Sequence, residues 1–323
     1  MDQNRYLQVI NRAIEDLDLE REPRGLYEPI RYILDLGGKR IRPVILLMAC
    51  DIYNGDREAA LPAALAVEVF HNFSLIHDDI MDRAPLRRGK PTVHENWSAN
   101  TAILSGDTML VKAYEQLLKL PEHILKPALE IFNRTAAEVC EGQQYDMDFE
   151  NRDDVTLEEY LEMIRLKTAV LLGAALKLGG LVANAPREDL DHLYTFGIET
   201  GMVFQLKDDL LDTYGDSNLF GKKQYGDIVN NKKTYLYLLT LQSLKGKERE
   251  KLARLYSSPE TDPELKIRKV LHYFDKAGAK ELTEAAILEH YEKAQAAFHA
   301  LQIPDEKKQI LSDFTGLLLG RKF

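Results

Sequence analysis

Cysteine is scarce in this chain: 323 residues hold two, Cys50 and Cys140. That excludes a disulfide framework, and no Cys/His spacing fits a zinc site. Both sit among apolar neighbours, so buried free thiols and a reducing compartment are expected. A basic surplus is also missing. Against 42 Lys and Arg stand 52 Asp and Glu, a net charge of −10, which argues against a nucleic-acid partner held by counterion release. Long hydrophobic runs are absent too. The longest worth testing, Ala169 to Leu176, meets Lys177 at once and is too short to cross a bilayer. The first twenty residues lack the apolar core of a signal peptide. We therefore expect no transmembrane segment and a cytoplasmic location. Period-two alternation, the mark of strands, is hard to find.

What is present is helical periodicity. Long helices are expected over 57–82, 156–182 and 188–214. Others fit 4–17, 24–36, 43–54, 98–119, 123–148, 231–243, 264–275, 277–301 and 305–319. Pro and Gly are read as clustering between these segments rather than inside them, and no linker or low-complexity tract divides them. The expectation is a single all-α domain, 1–323.

Two of the helices end in the same acidic pattern. Asp78, Asp79 and Asp82 form DDIMD; Asp208, Asp209 and Asp212 form DDLLD. Carboxylates at i and i+4 share one helix face and repel. A chain that does this twice calls for cations, and hard cations shared with phosphate are the natural partners.

Basic segments accompany both motifs. Gly37-Gly38-Lys39-Arg40-Ile41-Arg42-Pro43 puts three cations at a helix start, where free amides already favour an anion. Arg87-Arg88-Gly89-Lys90-Pro91-Thr92 follows the first motif, and arginine forks suit phosphate oxygens. Gly221-Lys222-Lys223, Asp227, Asn230, Lys232, Lys233 and Thr234 follow the second. His71 lies seven residues before Asp78, two turns away on nearly the same face, which favours a ligand contact over a core role. His77 is read as structural and Asp107 as a helix cap. Gln143 and Asp146 fit either a cavity wall or an exposed helix face. Lys167, in an apolar helix, needs a partner.

Together these segments resemble the trans-isoprenyl diphosphate synthases of the polyprenyl synthetase family. The matching stretches are GGKRIRP, EVFHNFSLIHDDIMD (68–82), RRGKPT, GQQYD (142–146), Lys167-Thr168, FQLKDDLLD (204–212) and 221–234, in family order. The resemblance implies an isoprenoid synthase fold, with long helices around a deep central cavity, and a homodimer. It implies condensation of isopentenyl diphosphate with an allylic diphosphate, with three Mg2+ ions as cofactor. Asp78, Asp82 and Asp208 would be direct metal ligands, with Asp79, Asp209 and Asp212 further out or acting through water. Lys39, Arg42, His71 and Arg88 match the isopentenyl diphosphate site. Arg87, Lys167, Lys222 and Lys232 match allylic diphosphate contacts, with Lys223 an alternative to Lys222. Thr168 and Gln205 match residues beside the developing cation.

Chain length in this family depends on what fills the cavity below the first motif. Ser74 and Phe70 stack beneath Asp78 at i−4 and i−8, and Phe73 flanks that line. At ~1.5 Å per residue Phe70 lies about 12 Å down. Ser74 lets a prenyl tail pass, while Phe73 and Phe70 stop it. Geranylgeranyl diphosphate is the first expectation and farnesyl diphosphate the second. The alternatives are a terpene cyclase, a non-catalytic subunit of a hetero-oligomeric synthase, and a calcium-binding helical protein. A cyclase would replace the second Asp motif and lack GGKRIRP. A non-catalytic subunit would have lost its Asp, Lys and Arg sets. An EF-hand needs alternating ligands and a glycine that are not here.

Overall fold

A computed structural model describes residues 3–215, 224–257 and 262–319. Helices dominate it. In chain order they are α1 (Gln3–Glu15), α2 (Arg24–Asp35), α3 (Ile41–Ile52), α4 (Arg57–Met81), α5 (Val93–Asn96), α6 (Ala99–Leu117), α7 (Glu122–Glu150) and α8 (Leu157–Ile164). After a π-helical turn, Arg165–Ala169, come α9 (Val170–Val182), α10 (Arg187–Tyr214), α11 (Gly226–Val229) and α12 (Tyr235–Ser243). Then follow α13 (Gly246–Ser257), α14 (Pro263–Ala277), α15 (Ala279–Ala300) and α16 (Asp305–Leu319).

Local chemistry fixes several boundaries. Asp56 caps α4 by accepting the Glu58 amide at 3.0 Å, and Ser98 caps α6 by accepting that of Thr101 at 3.1 Å. Thr156 and Glu159 form a reciprocal capping box at the start of α8. Gly278, left-handed at φ +65°, separates α14 from α15.

The structure differs from the sequence expectations in five places. RRGKPT forms a two-stranded antiparallel hairpin, β1 (Leu86–Arg87) and β2 (Lys90–Pro91), rather than a plain loop. Arg88 and Gly89 both have positive φ, as a tight primed turn requires. The helix expected over 156–182 is interrupted by the π turn. Asp107 does not cap a helix, because α6 already starts at Ala99. The polar helix α13 was not expected at all. Pro29, Pro62 and Pro127 lie inside helices, each in the second turn, where one lost backbone bond is tolerated.

The chain divides into two compact units, neither continuous in sequence. Unit 1 comprises 1–136, 171–194 and 300–314; unit 2 comprises 137–170, 195–299 and 315–323. In unit 1, α3 is buried from Pro43 to Ile52 and packs with α4 and α1, while α6 packs with α4 and α2. In unit 2, α12 packs with α8, α13 and α14, and Tyr237 stacks on Tyr256 at 3.9 Å. Among the described residues one helix, α4, is long and apolar enough to cross a membrane by length and composition. Two-thirds of its apolar window is buried inside the protein, and it carries Glu68, Asp78 and Asp79.

Candidate active site

Unit 1 holds the first acidic motif at the C-terminal end of α4. Asp78 and Asp79 lie in the last turn and Asp82 is the C-cap. The dipole is negative there, so three carboxylates add to an already unfavourable field. No basic residue of α4 offsets them. Relief comes from the hairpin. Arg87 on β1 grips Asp79 with its Nε at 2.9 and 2.8 Å from the two carboxylate oxygens and its Nη2 at 2.7 Å. The same Nη2 lies 3.7 Å from Asp78. Asp79 is buried, and that burial pushes its carboxyl up despite the guanidinium. Asp78 is half-buried and Asp82 exposed.

A cationic cluster sits higher on the same helix. The Arg42 Nη1 donates to His71 Nε2 at 3.2 Å. Arginine only donates, so Nε2 accepts and the His71 proton resides on Nδ1. Desolvation, then Arg42, Arg88, Arg87 and Arg40, hold the His71 pKa well below its usual value, and the ring is neutral. Burial lowers Arg42 to about 10, and its Nε is buried without a hydrogen-bond partner. Arg88 closes the cluster from the hairpin tip. Its guanidinium lies so near Gly38 that a Cβ there would stand 2.7 Å from Nη2. Lys39 is exposed beside it. A group of guanidiniums around a neutral histidine is an anion site.

One cation of the GGKR turn has a different job. Arg40 donates to Glu68 at 2.5 Å, both side chains 3% exposed, and also to the Leu34 carbonyl. Asn72 donates to the same Glu68 oxygen at 2.9 Å. Sequence reasoning missed this buried pair; Glu68 in an apolar helix was the available signal.

The expected floor residues are also in unit 1. Phe70 is 1% and Phe73 8% exposed, with ring centroids 5.5 Å apart. Phe70 meets Phe132 of α7 at 5.3 Å, and Phe132 meets Tyr114 of α6 at 5.3 Å, two aromatics that no local motif marks. Ser74 turns its hydroxyl onto the His71 carbonyl at 2.8 Å. His77 packs on Phe73 at 4.7 Å and lies over Gly106, a structural position. A separate cavity of about 360 Å³ in this unit is lined by Leu61, Leu65, Val69, Lys112 and Gln116 among others, and by none of the Asp-motif or floor residues.

Unit 2 holds the second motif near the C-terminal end of α10, again without a basic residue in the last turn. Asp208 and Asp212 are half-buried and Asp209 is buried. Asp212 accepts the Asp227 amide at 3.0 Å. Asp209 takes three donors: the Tyr160 hydroxyl, Gln205 Nε2 at 3.2 Å and the Tyr235 amide at 3.3 Å. Burial and the charge of Asp227 push its carboxyl up to about 7 against those donors. Thr168 donates to Gln205 Oε1 at 3.3 Å. Lys167 pairs with Asp146 at 2.5 Å, which supplies the partner its apolar helix required.

Lys167 and Thr168 lie on the π turn. Two glycines let neighbouring backbones close on it. A Cβ on Gly142 of α7 would stand 2.3 Å from the Lys167 nitrogen, and one on Gly201 of α10 would stand 2.6 Å from Ala169 Cα. Lys233 is engaged with the Phe149 and Arg152 carbonyls, while Lys232 is exposed. Lys222 and Lys223 lie outside the described residues.

The donor set fits a hard divalent cation. Among the described residues no three His, Cys, Asp or Glu side chains make a closed metal cage. Each motif instead offers carboxylates one helical turn apart. Mg2+ is held in this way, by one or two carboxylates with water and phosphate oxygens completing the shell.

A family model described as polyprenyl synthetase matches residues 23–274. The geranylgeranyl diphosphate synthase of Methanosarcina mazei is 44% identical over 71% of this chain and 71% of its own length. The geranylfarnesyl diphosphate synthase of Natronomonas pharaonis is 36% identical over 98% and 96%. Among solved structures, the geranylgeranyl pyrophosphate synthase from Corynebacterium glutamicum, complexed with isoprenyl diphosphate and magnesium, superposes with a TM-score of 0.87. It is 27% identical, with all of both chains covered. The described helices, the paired acidic motifs and these matches lead to one conclusion: the chain belongs to the polyprenyl synthetase family and has the all-α isoprenoid synthase fold.

Proposed function

We propose that this prenyltransferase condenses isopentenyl diphosphate head-to-tail with an allylic diphosphate, in a magnesium-dependent reaction giving a short-chain trans-prenyl diphosphate. The observation that carries the reading is the guanidinium cluster around neutral His71, set on the same helix as Asp78, Asp79 and Asp82. A terpene cyclase needs no second anion site of this kind. Lys39, Arg42, His71 and Arg88 bind isopentenyl diphosphate, with the Nδ1–H of His71 as a donor. Arg87, Lys167, Lys222 and Lys232 contact the allylic diphosphate. Asp78 and Asp82 of unit 1, and Asp208 of unit 2, would hold Mg2+, three ions in all, and these would supply positive charge to the departing diphosphate. The allylic C–O bond breaks with its electron pair on oxygen. The isopentenyl double bond attacks the allylic carbon, and a proton passes to the released diphosphate. The Gln205 and Thr168 oxygens face the charge that develops.

The chain acts as one domain, since neither unit is contiguous in sequence. It works as a homodimer through α6, where Leu104, Val111 and the C-cap Leu118 are 59%, 57% and 64% exposed at seven-residue spacing. Its cysteines are free, which suits the cytoplasm; Cys50 is buried as expected, but Cys140 is exposed, because its apolar neighbours belong to the buried side of α7 and it does not.

Geranylgeranyl diphosphate is the favoured product and farnesyl diphosphate the second, because Phe73 and Phe70 close the space below Asp78. Incubation with isopentenyl and allylic diphosphates plus Mg2+, then chromatography of the dephosphorylated products, tests activity and length together. Cyclic hydrocarbons would overturn the reaction. In the same assay Phe73→Ala should lengthen the product by one or more five-carbon units. An unchanged product distribution would remove Phe73 as the floor.

A further inference from the structure

In unit 2 Asp209 and Thr168 bracket the Gln205 side chain, and Tyr160 holds Asp209, in a way the proposed reaction does not by itself explain. The Tyr160 side chain is on α8, just before the π turn, and Tyr160 is 4% exposed. Its hydroxyl meets Asp209 Oδ2. Asp209 Oδ1 takes Gln205 Nε2 at 3.2 Å. On its other side Gln205 offers Oε1 to the Thr168 hydroxyl at 3.3 Å.

The chemistry of these groups allows one orientation. An ionised Asp209 accepts and cannot donate, so the group facing it is the NH2 end of the amide, as in the 3.2 Å contact of Gln205 Nε2 with Oδ1. The carbonyl end is then left beside Thr168. A primary amide is nearly symmetric in shape and turns over readily unless its partners distinguish oxygen from nitrogen. Asp209 makes that distinction. It is itself fixed, because the Tyr160 hydroxyl and the Tyr235 amide at 3.3 Å hold Oδ2. Removing Tyr160's hydroxyl would leave one side-chain contact of a buried carboxylate unmade.

We propose that Tyr160 and Asp209 are positioning residues that lock the Gln205 amide with its carbonyl oxygen, not its NH2 group, presented beside Thr168. The inference deepens the reading above, in which that oxygen faces the allylic cation. It gives the middle aspartate of the second motif a task other than metal ligation. An amide turned over would place N–H dipoles where a negative end is needed.

Two measurements test it on the full-length protein. The first needs no activity: the side-chain amide 15N–1H signals of Gln205, identified by their loss in Gln205→Glu. They should move strongly in Asp209→Leu and less in Tyr160→Phe. Unmoved signals in both variants overturn the proposal, whether or not the enzyme condenses isopentenyl diphosphate. The second is a double-mutant cycle on turnover. Tyr160→Phe should lower kcat about ten-fold, the scale of one hydrogen bond to a charged group, with both KM values within about two-fold. In a Gln205→Ala background the same substitution should cost little, because its target is gone. Equal costs in the two backgrounds would mean that Tyr160 does not act through Gln205. Absence of condensation by the parent protein would count against the proposed function alone, and the amide signals would still decide this inference.

Discussion

At the residue scale, the energetic question is why carboxylates accumulate at helix ends. Each pays for its neighbours in repulsion and for the helix dipole, by roughly 0.3–1 kcal/mol. For Asp79 and Asp209 the structure supplies hydrogen-bonded partners. Asp78 is the residue that a bound cation and its diphosphate would share. Asp78→Ala should therefore lower kcat/KM by about 10²–10³-fold or more with an unchanged far-ultraviolet dichroism spectrum. Retention of the parent rate in Mg2+ would sink the metal assignment. His71 gives a second residue-scale prediction, with its sign set by linkage. Folded His71 resists protonation, whereas the unfolded chain takes a proton near the ordinary value of 6.5. Below pH 6.5 the unfolded state binds more protons, so stability falls as the solution is acidified, by at most about 1.4 kcal/mol per pH unit. Urea unfolding between pH 7 and 5 should show the parent losing more stability than His71→Gln. Parallel slopes would contradict the neutral-ring assignment.

At the element scale, the π turn is where the chain departs most from a simple repeat. Gly142 belongs to it as much as Lys167 does, because the α7 backbone could not come so close with a side chain present. Gly142→Ala should destabilise the protein by about 1–3 kcal/mol, the usual cost of overpacking. It should also lower kcat through Lys167 and Thr168. A denaturation midpoint and rate equal to the parent's would show that the turn absorbs the methyl group freely. The sequence carried the acidic helices α4 and α10 plainly, through apolar periodicity ending in a distinctive pattern. It did not carry the π turn, because five residues of wider winding barely disturb a 3.6-residue period. Nor did it carry α13, where only Leu252 and Tyr256 are buried and the apolar signal is too sparse. The hairpin was legible in its Gly89 but read as a loop, since two-residue strands offer no alternation to detect. Arg40 was read with its basic neighbours because nothing local says that a partner 28 residues away will bury it.

At the scale of the whole molecule, the apolar stripe along α6 is left exposed by the described residues. Light scattering coupled to size-exclusion chromatography should give about twice the 36.9 kDa chain mass. Leu104→Glu with Val111→Glu should give one chain mass. A parent protein that elutes as a single chain would remove the homodimer from the proposal. Which residue types form the site was readable from the start, since Asp, Arg and Lys at those spacings have few other uses. Who holds whom was not, because the partnerships of Asp79 with Arg87 and Asp209 with Tyr160 depend on chain segments meeting in space.

The seat of Arg88 on Gly38 has a consequence for inheritance. Position 38 is closed twice, by a φ of +135° that ordinary residues rarely adopt and by a guanidinium where a Cβ would be. Shortening Arg88 would lift only the second restriction. A lineage that lost the arginine would thus still be obliged to keep the glycine. One that lost the glycine would have to rebuild the turn and shift the arginine's guanidinium together. The two positions, fifty residues apart in sequence, thus meet in one contact, and the backbone sets the stricter of the two restrictions on position 38.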